Sequence, residues 1–86
     1  MVQRVKSIRS VGEVKNLEGK SIILYIPGGD RLEGEVKEVV EDERTRIIMR
    51  GYRICEHGKS FYKRIYIPYP YPSKKLLKYE LVKKID

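Results

Sequence analysis

Between Ser21 and Pro68 the chain runs as short β-branched segments broken at regular intervals by glycine or acidic turns, and this spacing constrains the fold more than any other feature of its 86 residues. Ser21 to Ile26 (SIILYI) reads as a buried strand. Pro27, Gly28, Gly29 and Asp30 form a turn. Leu32, Gly34, Val36, Glu38 and Val40, set against Glu33, Glu35 and Lys37, give a second strand of about nine residues, with Gly34 marking a bend or a close backbone approach. Glu41 to Arg44 is a polar turn, and Thr45 to Tyr52 is a third strand with Ile48 at its centre. Arg53 to Lys59, containing Glu56, His57 and Gly58, reads as a connection. Ser60 to Pro68 then alternates, with Phe61, Lys63, Ile65 and Ile67 on one face and Tyr62, Arg64 and Tyr66 on the other, as in a half-exposed strand. Lys63 is the odd member of the apolar face, and must lie at an edge or snorkel. Pro68, Pro70 and Pro72 end the strand.

The two ends are less sharply written. In residues 1–16, Val2, Val5 and Ile8 recur at spacings of three, which suits either a short helix or a loose arm. In Ser73 to Asp86, Leu77, Leu81 and Ile85 at spacing four, with Ser73 as N-cap, suit a helix. Tyr79, Leu81 and Val82 suit a closing strand instead. A turn followed by a strand is preferred, because four antiparallel strands need a fifth to close a barrel. The expected fold is all-β: one small domain, a five-stranded antiparallel barrel with a short terminal helix.

Charge divides the chain. Ser21 to Thr45 holds three basic and seven acidic residues, whereas Arg46 to Asp86 holds eleven Lys/Arg against three acidic residues. The same basic stretch holds seven of the eight aromatics: Tyr52, Phe61, Tyr62, Tyr66, Tyr69, Tyr71 and Tyr79. Phosphate backbones attract cations and unstacked bases need flat π surfaces, so a segment offering both reads as a nucleic-acid surface. The candidate site residues are Arg46, Arg50, Arg53, Lys59, Lys63 and Arg64 for phosphates, with Tyr52, Tyr62 and Tyr66 for bases. Tyr62, Arg64 and Tyr66, on one face of a regular strand, would point the same way. The plainer reading of each Tyr is a half-buried sheet residue.

Leu17 to Met49 (LEGKSIILYIPGGDRLEGEVKEVVEDERTRIIM) resembles the opening strands of Sm and Sm-like proteins. That family has an N-terminal helix, a Leu-x-Gly-Lys lead-in, a strand, a Gly turn, a long bent strand with an internal Gly, an acidic turn and a third strand. Gly19-Lys20, Gly29 and Gly34 stand in those positions here. The stretch is also similar to the Sm-like barrel of the archaeal RNase P protein subunit, through VVEDERTRIIM and RIYIPY. The resemblance implies an SH3/Sm-like barrel and a role with RNA rather than DNA. It implies no uridine pocket, because Val40 and Arg44 stand where the family's binding loop has Asp and Asn, and Arg50-Gly51 comes one strand too early for the second motif.

Other chemistry finds few carriers. Cys55 is the lone cysteine, so no internal disulfide forms and a reducing interior is expected. Cys55 and His57 are too few for a zinc site. Glu41, Asp42 and Glu43 are adjacent rather than spaced to converge on an ion. Gly28-Gly29 is not followed by the helix of a phosphate loop. An enzyme, a cofactor, a metal and a small-molecule substrate are therefore not expected. No apolar run long enough to span a membrane and no signal-peptide pattern are found, so a soluble cytoplasmic protein is expected. A net charge of +7 then favours nucleic acid as partner. Richness in Lys and Glu, with Gln3 and Asn16 the only side-chain amides, is a pattern of heat-loving organisms. The alternative function is a protein-interaction module. A chain this small gains from extra buried area, and exposed strand edges and Tyr69-Pro70-Tyr71-Pro72 would join copies into a homo-oligomer.

Overall fold

A computed structural model of the chain describes residues 5–82. Its elements are β1 (Lys6–Ser7), α1 (Val11–Lys15), β2 (Ser21–Tyr25), β3 (Arg31–Glu41), β4 (Thr45–Cys55), β5 (Gly58–Tyr69) and β6 (Lys78–Leu81). The strands form one antiparallel sheet in the order β1-β6-β2-β3-β4-β5. The parts of the terminal expectations that fall on residues 1–4 and 83–86 lie outside the described residues.

Local chemistry explains each boundary. At five residues α1 is too short to persist alone. Ser10 Oγ accepts from the Glu13 N–H at 3.3 Å while Glu13 Oε2 accepts from the Arg9 N–H at 3.4 Å, a reciprocal cap close to a capping box. Buried Val14 and Leu17 then pin the helix to the sheet. Glu18 Oε2 accepts from the Val39 N–H at 2.7 Å, and Lys15 pairs with Glu41 at 2.7 Å, so the helical end is tied to β3 at two points. Glu41, through its hydrogen bond and charge, raises the Lys15 pKa above its ordinary value. Gly28 and Gly29, both at positive φ, make the β2–β3 turn, and the Ile26 N–H donates to the Asp30 carbonyl at 2.9 Å across it.

The core lies on one face of the sheet. Ile22 and Leu24 of β2, Leu32, Val36 and Val39 of β3, Ile47 and Met49 of β4 and Ile67 of β5 are buried with Ile8, Val14, Leu17 and Leu77. Gly34 and Gly51 face each other across β3 and β4. A Cβ on Gly34 would strike the Arg50 carbonyl oxygen and lie 2.8 Å from the Gly51 Cα, and a Cβ on Gly51 would strike the Glu33 carbonyl oxygen. The close approach expected at Gly34 is therefore present, and it takes a second glycine to achieve it.

Two expectations are corrected. The sheet has six strands and does not close into a barrel: β5 and β1 end the order, and no ladder joins them among the described residues. The physical reason lies in β6, which spends one edge on β2 and the other on the two-residue β1. Tyr69, Tyr71 and Leu77, from the end of β5 and the segment leading to β6, pack against the core instead. Side chains thus cover apolar surface where a closing ladder was expected. The connection expected over Arg53 to Lys59 is in fact a hairpin. Its turn is only Glu56 and His57, and β4 and β5 extend to either side of it. The strand preferred near the C-terminus is present as β6, starting at Lys78.

Candidate nucleic-acid interface

Residues 50–55 and 58–64 form the distal half of the β4–β5 hairpin, and most of their side chains are exposed. Pairing in this hairpin is interrupted once. Met49 faces Ile65, but Gly51 faces Tyr62, so Lys63 and Arg64 together oppose Arg50. That is a β-bulge on β5, and a bulge flips the facing of every residue beyond it. Tyr62 shares the face of Gly51 and Arg53, while Phe61 shares the face of Tyr52. The expected grouping of Tyr62 with Arg64 and Tyr66 is therefore corrected, as is the expected place of Lys63 on the apolar face.

The face away from the core carries alternating cations and rings. The Lys59 Nζ lies 4.5 Å from the Tyr52 ring centroid. Tyr52 meets Phe61 edge-on, with centroids 5.3 Å apart and planes at 66°. The Arg50 guanidinium carbon lies 5.7 Å from the Phe61 centroid. Further along, the Arg64 guanidinium carbon lies 5.5 Å from the Tyr66 centroid. Tyr52, Phe61 and Tyr66 are 42%, 48% and 56% exposed, so none is a core residue. From Lys59 to Tyr66 the row is about 23 Å long at about 3.3 Å per strand residue. Among the described residues, no ion pair holds Arg50, Lys59, Lys63 or Arg64.

The remaining candidates lie elsewhere. Arg53 projects to the opposite face, where it donates to Asp30 Oδ2 from Nε at 3.0 Å and from an Nη at 2.6 Å. The Asp30 hydrogen bond and charge raise the Arg53 pKa above its ordinary value. Tyr62 sits on that face too, 41% exposed. Arg46 lies at the proximal end of β4, paired with Asp42 at 2.8 Å across the acidic turn. These two arginines are thus engaged within the fold. Of the sequence candidates, the structure brings Arg50, Tyr52, Lys59, Lys63, Arg64 and Tyr66 to one surface, where Phe61 and Lys37, not among the candidates, join them. Phe61 was hidden by the bulge, whose one visible mark was a lysine in the apolar register. Lys37, on β3, lies beside Arg50, Lys63 and Arg64 around a hollow with Ile48 in its lining.

Tyr69, Tyr71 and Tyr79 are partly buried against the core, which makes them packing residues in this fold. Cys55 is half-buried and His57 occupies the exposed hairpin turn. Of the acidic turn, Glu41 is held by Lys15 and Asp42 by Arg46 and the Arg44 N–H. Comparison with protein-family models, with curated proteins and with solved structures gave no match, so the reading of this surface rests on its own geometry.

Proposed function

We propose that the protein is a single-stranded nucleic-acid-binding module, with RNA as its polymer, and that the outer face of the β4–β5 hairpin, from its distal half to Tyr66, is the binding surface. The observation that carries this reading is the row Lys59, Tyr52, Phe61, Arg50, Arg64 and Tyr66, in which every ring has a cation within reach. An exposed cation–π contact is worth only about 0.5–1 kcal/mol. A base stacked on an aromatic ring contributes about 1–3 kcal/mol. A bound base therefore outcompetes the resident cation, which swings to a phosphate. The guanidinium planes of Arg50 and Arg64 are themselves stacking surfaces.

RNA is preferred on the Sm-like resemblance. What supports that comparison is the order of elements: α1, the Leu17-Glu18-Gly19-Lys20 lead-in, β2, the glycine turn, long β3 with Gly34, the acidic turn and β4. The surface proposed here is a different one from that family's loop pocket.

Titration of labelled single-stranded RNA, single-stranded DNA and duplex DNA at two salt concentrations tests the reading. Four phosphate contacts predict a log–log salt slope of about −3 on a single strand. Replacing Arg50 or Arg64 by Ala is expected to flatten the slope by about 0.7 each. Replacing Tyr52 and Phe61 together by Ala is expected to weaken single-strand binding and leave the slope in place, because stacking carries no charge. Absence of binding to all three polymers at low salt refutes the proposal.

Self-assembly is the second reading, favoured by one observation: β5, at the end of the sheet, has a single neighbour among the described residues. Against it, β5 carries a bulge with Lys63 and Arg64, two devices that discourage edge pairing, and Tyr69 and Tyr71 are spent on the protein's own core. Light scattering at tens of micromolar checks it, with a monomer expected.

A further inference from the structure

The sheet has a second irregularity. Val36 faces Met49 and Glu38 faces Ile48, so Lys37 is an extra residue in β3 without a partner on β4. The bulge on β5 lies across β4 from it, at Lys63 and Arg64 opposite Arg50. Two bulges on the two neighbours of β4 thus flank the same short stretch of that strand. Between them lies a hollow of about 460 Å³ lined by Lys37, Glu38, Ile48, Arg50, Lys63 and Arg64. Ile48 is 6% exposed and stands outside the main core cluster, so the stems of these charged residues cover it from the outer side.

Edge protection explains a bulge with lysine on β5, which ends the sheet. At Lys37 the β2 ladder has already ended, its last pair on β3 being Ser21 with Glu35, so edge protection accounts for a charged residue there as well, but not for its meeting the β5 cations across β4. Bending of the sheet explains a bulge on β3 but not why the inserted residues on both strands are cations directed to one hollow. Four cations from three strands meet there, against Glu38 in the lining and Glu35, which pairs with Lys37 at 2.8 Å. The excess is two positive charges, enough to hold the single charge of a phosphodiester or the two of a phosphomonoester.

We infer that this hollow is a phosphoryl-anion site, in which Arg50, Lys63 and Arg64 hold a phosphate group and Lys37 is released from Glu35 to join them. Built on the function proposed above, the hollow is where one phosphate of the bound strand is anchored, and it sets the register of the bases on Tyr66 to one side and on Phe61 and Tyr52 to the other. The chemistry is that of a phosphate whichever molecule carries it, a nucleic-acid strand or a free phosphorylated compound.

Calorimetric titration of the whole chain with pyrophosphate, beside titration with single-stranded RNA, tests the site. Pyrophosphate is expected to bind, and Lys63→Ala and Lys37→Ala are each expected to weaken it by roughly tenfold, the scale of one charge-assisted contact. Lys59→Ala removes the same charge from the same face but outside the hollow, and is expected to change pyrophosphate affinity by less than about twofold. The Tyr52→Ala, Phe61→Ala double variant is expected to leave pyrophosphate binding intact. If pyrophosphate does not bind, or if Lys59→Ala costs as much as Lys63→Ala, the attraction is diffuse and the site is refuted, whatever RNA does. If RNA fails to bind but pyrophosphate binds with the hollow's variant pattern, the site stands with a free phosphorylated compound as its source, and only the nucleic-acid reading falls.

Discussion

The β4–β5 hairpin is built from two halves of the same strands put to opposite use. In the proximal half Ile47, Ile48 and Met49 are buried, and Ile67 opposite Ile47 is buried with them. In the distal half Tyr52, Phe61 and Tyr62 are all more than 40% exposed. β-Propensity is high in both, so propensity alone accounts for the strands and not for the difference. The difference lies in what covers each half. The core cluster takes Ile47, Met49 and Ile67 from the proximal half and no residue from Arg50 to Arg64. Gly34 and Gly51 mark the border, and the bulge at Lys63 and Arg64 lies beside it, re-aiming the rings toward solvent. The lesson is that burial, rather than residue type, separates a packing aromatic such as Tyr69 from an available one such as Phe61.

The comparison is broken most severely at the border. Gly34→Val is expected to abolish cooperative folding, because its side chain would occupy the Arg50 carbonyl and the Gly51 Cα; circular dichroism with urea melting reads this, and a fold that survives with unchanged stability would contradict the close approach. Next, Ile47→Ala is expected to cost about 2–5 kcal/mol, as deletion of a buried β-branched side chain does. Phe61→Ala, in the distal half, is expected to cost about 1 kcal/mol or less, the scale of one cross-strand aromatic pair. Equal costs in urea denaturation would mean that the distal half is structural. The smallest effect expected lies outside the hairpin. The Tyr25 hydroxyl donates to Glu80 Oε1 at 2.9 Å, tying β2 to β6. That hydrogen bond, with lesser contributions from burial and the Glu80 charge, raises the Tyr25 pKa above its ordinary value. A raised tyrosine pKa means that its contribution to stability is fully present below about pH 10 and is lost as pH rises through the folded-state value. Tyr25→Phe is expected to cost about 1 kcal/mol at neutral pH, and to leave stability falling less steeply in the alkaline range.

Much of this was legible in the residues. The β-branched runs and glycine turns located β2, β3, β4 and β5, since local chemistry decides those boundaries. Gly34 announced a bend or a close approach, and the approach is what the structure shows. The failures have one physical origin: pairing is a property of two strands, and a sequence shows one at a time. The β5 bulge appeared only as Lys63 out of register, so Phe61 was assigned to the wrong face. The Arg53–Asp30 pair joins residues far apart in sequence, and the third strand was expected to end at Tyr52, whereas β4 runs on to Cys55 and so sets Arg53 on the opposite face from Arg50. The closing of a barrel depended on where β6 would dock, and its few apolar residues suited a helix as well as a strand.

The most direct measurement is an amide chemical-shift map of the protein titrated with single-stranded RNA at low salt. The account predicts the largest perturbations along Arg50 to Cys55 and Gly58 to Tyr66, with α1, β2 and β6 little changed. Perturbations centred on Tyr69 to Leu77 or on the β1–β6 edge, or no perturbation at saturating RNA, would contradict it.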